Sequence, residues 1–71
     1  MEIMKNSIIK ACTLHFKGMI EKHKVNVENI LINTVGVAEH PDIVETVEKE
    51  LSIIAEYDDK LAALQKYFKE D

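Results

Sequence analysis

The chain has 71 residues, with nine lysines, no arginine, thirteen acids and a net charge of −4. A domain this short lies near the lower limit for independent folding; its one cysteine, Cys12, permits no internal disulfide, so oligomerisation is the leading staple. No apolar run approaches the roughly 20 residues that span a bilayer, and an acidic whole argues against strong nonspecific nucleic-acid binding.

The N-terminal stretch Met1-Glu2-Ile3-Met4-Lys5 lacks the basic start and continuous apolar segment of a secretory signal, so the expected location is cytoplasmic. Charge is unevenly spread. Residues 1–35 carry five lysines and three glutamates, and residues 36–71 carry four lysines and ten acids. Two segments of opposite sign attract, which favours antiparallel pairing within one chain or between two.

The spacing predicts a first helix over about residues 4–35. At 100° per residue, Ile9, Cys12, Phe16, Met19, Ile20, His23, Val27, Ile30 and Leu31 share one arc, the expected core stripe. Ser7 is a candidate N-cap. Gly36 is placed to supply a left-handed ending, with Val37 touching Ile32. Two places threaten continuity: Gly18, and Lys24-Val25-Asn26-Val27 with its β-branched pair. A break at either would give shorter helices and a single-chain three- or four-helix bundle. A second, thinner stripe of Ala11, Leu14, Gly18, Val25 and Ile32 reads as scattered exposed residues or as a second packing face. In the latter case Gly18 would admit another helix.

The segment 36–41 reads as a short loop ending at Pro41, a residue suited to the start of a helix. The second helix is expected over about residues 42–69. It opens on Asp42-Ile43-Val44-Glu45, which has capping-box spacing. Ile43, Val44, Val47, Leu51, Ile54, Tyr57, Leu61, Ala62, Leu64 and Phe68 form an apolar face too broad for one partner helix. The fold class is therefore all-α: a single domain, 1–71, folded as an antiparallel helical hairpin and expected to assemble as a dimeric four-helix bundle. Opposite positions should have numbers summing to about 74.

That register places His23 near Glu50, a candidate buried polar pair that would act as an acid–base couple or as a structural hydrogen bond fixing register. Cys12 and His15 stand at i and i+3, but no third ligand is near enough for zinc. Asp58 falls within the apolar arc, near His15 by the same register. Lys10, Lys17 and Lys24 align at seven-residue spacing, as a phosphate-tracking ridge or as a solvated face with Glu21 and Glu28 as partners. Leu14, Gly18, Val25, Ile32, Tyr57 and Leu64 are the candidate self-association residues. No phosphate loop, nucleophile elbow or metal signature is present, so neither catalysis nor a cofactor is expected.

The runs Glu39-His40-Pro41-Asp42, Val47-Glu48-Lys49-Glu50-Leu51 and Ile54-Ala55-Glu56-Tyr57-Asp58-Asp59-Lys60-Leu61, with Asn26-Val27-Glu28 and Tyr67-Phe68, carry a family resemblance. From about Ile20 to Phe68 the chain resembles the small proteins encoded beside the recombination helicase UvsW in T-even-type bacteriophages. The resemblance implies a small helical bundle, a setting in phage recombination, replication or repair, and a likeness to the helical nucleic-acid-binding module of RecQ-type helicases. The acidic balance departs from such a module. The expected function is a non-catalytic, self-associating interaction protein with a phage or host partner in DNA metabolism. The alternatives are a weak structure-selective nucleic-acid binder and a host-directed inhibitor whose acidic helix imitates nucleic acid.

Overall fold

The computed structural model describes residues 2–33 and 42–70. They form two helices, α1 (Glu2–Ile32) and α2 (Ile43–Tyr67), packed against each other, with no strand among the described residues. The hairpin measures 53 × 16 × 13 Å. Its radius of gyration is 16.2 Å, against about 11 Å for a compact domain of this length.

α1 runs unbroken through both doubtful places, Gly18 and Lys24–Val27. The roughly 1 kcal/mol that glycine costs in a helix is opposed by seam contacts on either side of it. Because α1 begins at Glu2, Ser7 lies inside the helix and is not its cap. The Asn33 amide donates to the Asn29 carbonyl at 2.9 Å, extending the bonding by one residue. The expected ending at Val35, the Gly36 cap, the Val37–Ile32 contact and the loop with Pro41 lie outside the described residues.

α2 is capped as its opening residues predict: Asp42 is extended and its Oδ1 accepts from the Glu45 amide at 2.8 Å. The other half of the capping box is replaced, since the Glu45 carboxylate reaches Lys49 at 3.3 Å. α2 ends at Tyr67, two residues short of the expected Lys69, and the Phe68 amide closes the last turn on the Leu64 carbonyl at 2.9 Å.

Opposite residues follow the predicted register. His23 meets Glu50, Phe16 meets Tyr57, and Leu31 shares a groove with Ile43, so the paired numbers sum to 73 or 74. The face α2 turns to the seam differs from the expected one. Thr46, Glu50 and Ile53 are half-buried, whereas Val44, Leu51, Ala62 and Phe68, members of the apolar face too broad for one partner helix, are exposed. On α1, Leu31 is likewise 64% exposed. The half-buried residues of α2 centre about 40° round the helix from the middle of its apolar face. Two helices in contact cover one strip each, so any rotation of that strip leaves part of a wide apolar face outside it.

Gly18 lies on the exposed side of α1, and a Cβ built there meets nothing within 4 Å. Gly18→Ala is therefore expected to stabilise the hairpin by roughly 0.5–1 kcal/mol in urea denaturation. A weakened self-association in the same variant would instead place a second helix against Gly18.

Candidate functional site

His23 is the one buried residue among the described residues, 8% exposed, and no apolar residue among them is buried. It sits midway along the seam because Phe16, Met19, Ile20 and Val27 share its face of α1. Its Nδ1 lies 2.5 Å from Oε2 of Glu50, whose side chain is 21% exposed. An ionised carboxylate has no proton to give, so the imidazole N–H donates. Asn26 joins the pair, its Nδ2 donating to the same oxygen at 3.2 Å. The hydrogen bond from His23 holds the Glu50 carboxyl below its ordinary value of 4.5. Burial opposes that shift, while the Asn26 hydrogen bond and the charges of His23 and Lys22 reinforce it.

Sequence reasoning left Asn26 out of this cluster, reading it as a break point. The available signal was its i+3 spacing from His23, which puts the two amphipathic side chains on one face. Two turns beyond the cluster, His15, Phe16 and Tyr57 form a three-ring contact with centroids 5.9 Å apart. The Lys60 ammonium lies 4.7 Å from the Tyr57 ring centre while pairing with Glu56 at 3.0 Å. His15 thus meets Tyr57, and Asp58 is exposed.

The remaining candidate residues are dispersed. Leu14, Gly18, Val25 and Ile32 are exposed on the side of α1 turned away from α2. Tyr57 and Leu64, grouped with them on sequence, are half-buried in the seam; they lie on the strip of α2 that α1 covers. Lys10, Lys17 and Lys24 are exposed along one flank of α1, and Lys24 reaches Glu21 at 3.2 Å, an i−3 pair where i+4 partners were expected. Cys12 is half-buried with a free thiol. Among the described residues no group of three His, Cys, Asp or Glu side chains is arranged to hold a metal ion. Nor is any described helix long and apolar enough to cross a membrane.

The exposed apolar surface is the larger feature. Leu31, Ile43, Val44, Val47, Glu48 and Leu51 line an open groove of about 350 Å³ at the end of the hairpin where α1 stops and α2 starts. At the other end, Ile9, Thr13, Leu64, Gln65 and Phe68 help line a second groove of about 230 Å³. Thr13 and Leu31 are 18 residues apart, five whole turns, so both grooves open on one face of the hairpin. That face was not singled out on sequence. Its α2 edge, Val44 and Leu51 at heptad spacing, belongs to the predicted apolar face too broad for one partner helix.

No family model, curated protein or solved structure matches this chain. The geometry therefore stands by itself: one closed polar cluster holding two helices in register, with apolar surface left open in two grooves on one face and on the far side of α1.

Two measurements follow from the polar cluster. Because the folded pKa of Glu50 is depressed, its contribution to stability is full above pH 4.5 and is lost as pH falls from 4.5 through the lowered value. Denaturation midpoints of wild type and Glu50→Gln should differ at neutral pH and converge in acid. Glu50→Ala, which strands a buried imidazole, should cost about 1–3 kcal/mol in urea denaturation. The double variant His23→Leu/Glu50→Leu should recover most of that loss, because an apolar pair removes the unpaired polar group.

Proposed function

We propose that this chain is a non-catalytic interaction protein that works as a self-associated helical bundle, two hairpins forming four helices. The observation that carries the reading is the missing core. Among the described residues no apolar residue is buried, while ten large ones, from Leu51 at 50% to Ile32 at 84%, are half or more exposed. The area agrees. A compact chain of 8.1 kDa exposes roughly 4,500 Å², whereas this hairpin exposes 5598 Å². The excess, about 1,100 Å², exceeds the roughly 800 Å² that each partner gives up in a standard interface.

A two-helix hairpin has one interface in which to hide apolar surface, and this chain places a polar cluster in the middle of it. Association supplies the burial that folding leaves undone. The resemblance to the proteins encoded beside UvsW supports a role in the infected bacterial cytoplasm, as an accessory to phage DNA recombination, replication or repair. The bundle would there act by binding a protein of that machinery.

Multi-angle light scattering over a dilution series tests the self-association. The expected result is a particle of twice the chain mass at micromolar concentration, losing helicity as it dissociates. A fully helical particle of single-chain mass at the highest concentration would refute the reading.

A further inference from the structure

The open face carries charge as well as apolar surface, and the two together select one arrangement of two copies. Along the face, α2 presents Val44, Leu51 and then Asp58 at strict seven-residue spacing. Asp58 is exposed and has no ion-pair partner among the described residues, although it continues a row that is otherwise apolar. An acid in that position would be costly to cover unless a cation arrives with the cover. Lys17 is the matching cation. It is exposed on the flank of α1 bordering the same face, between Lys10 and Lys24, and it too has no ion-pair partner among the described residues. In the register set by His23 and Glu50, Lys17 and Asp58 stand at the same height on neighbouring helices.

We propose that a second copy of this chain docks on the face bearing Leu31, Val44, Val47 and Leu51, with its two-fold axis parallel to the hairpin's long axis, so that Lys17 of each copy pairs with Asp58 of the other. This axis lays α1 of one copy over α2 of the other and keeps both connections at one end. It preserves height, so residues level within a chain are level between chains. The alternative axis, across the hairpin, lays α2 on α2 and α1 on α1. α1 carries five lysines and three glutamates, and α2 three lysines and six acids. The crosswise axis therefore sets like charge against like, and the lengthwise axis sets opposite charges together. Both grooves of one copy then face their counterparts in the other. The proposal rests on the self-association reading and adds to it the face, the axis and the ion pair.

The test is a charge exchange, read by sedimentation equilibrium with circular dichroism on the same samples. Lys17→Glu and Asp58→Lys should each weaken the dimer about ten-fold or more, since each reversal sets two like-charged pairs into one assembly. The exchange variant Lys17→Glu/Asp58→Lys should return to within about three-fold of wild type. Lys10→Glu makes the same charge change at the height of Leu64 and Gln65, where α2 offers no acid, and should do much less than Lys17→Glu. A hairpin that melts on dissociating still registers as a lost dimer, and dichroism records the melting. Single reversals without effect, or an exchange variant as weak as either single one, would overturn the arrangement while leaving a wild-type dimer intact. A wild-type monomer would overturn the self-association reading itself and this inference with it.

Discussion

The hydrogen bond between His23 and Glu50 is the constraint on which the rest of the hairpin depends. It joins the two helices at mid-seam and holds the one buried residue among the described residues. Apolar side chains in a two-helix contact are tolerant of sliding and rotation, because dispersion and hydrophobic burial have no direction. An imidazole that must donate to a carboxylate is not tolerant. One residue of slip along either helix carries its partner through 100° and out of reach. Asn26 adds a second donor to the same carboxylate oxygen, so the polar contact defines both height and rotation.

Meeting that requirement has a cost elsewhere. Glu50 lies toward one edge of the apolar face of α2, and bringing it against His23 turns the middle of that face partly out of the seam. Ile53 and Thr46 move in, while Val44 and Leu51 stay out. Two helices alone cannot enclose a side chain on every side, so even with 46% hydrophobic residues no apolar residue among those described is buried; the rotation decides which of them face outward. It leaves Val44 and Leu51 on the face that bears both grooves, while Leu14, Val25 and Ile32 are exposed on the far side of α1. Register specificity inside the chain and the surface offered outside it have one physical origin.

Much of this was legible beforehand. The positions of Gly36 and Pro41, with apolar spacing of 3.6 on either side, implied two antiparallel helices. The same spacing implied the pairing register, since helix pitch converts sequence distance into height directly. The cap at Asp42 was legible because its chemistry is local: a short acid followed by an amide three residues on. The cluster was half legible. His23 and Glu50 could be matched through the register, whereas Asn26 looked like a cap because asparagine's local preferences are those of helix ends. Its side chain takes its partner from the other helix.

What the amino-acid order determined by itself was what depends on distance along a helix: the approximate ends of the helical segments, their antiparallel pairing and which residues stand level; that α1 passes Gly18 and Lys24–Val27 unbroken was left to the structure. What the tertiary structure decided was rotation. Periodicity locates the centre of a broad apolar face but does not say which edge a partner will cover, because burial energy changes little as one helix turns against another. A directional polar contact decides it. Tyr57 and Leu64 thereby lie within the seam, while Val44, Leu51 and Asp58 lie on the face that awaits a second molecule.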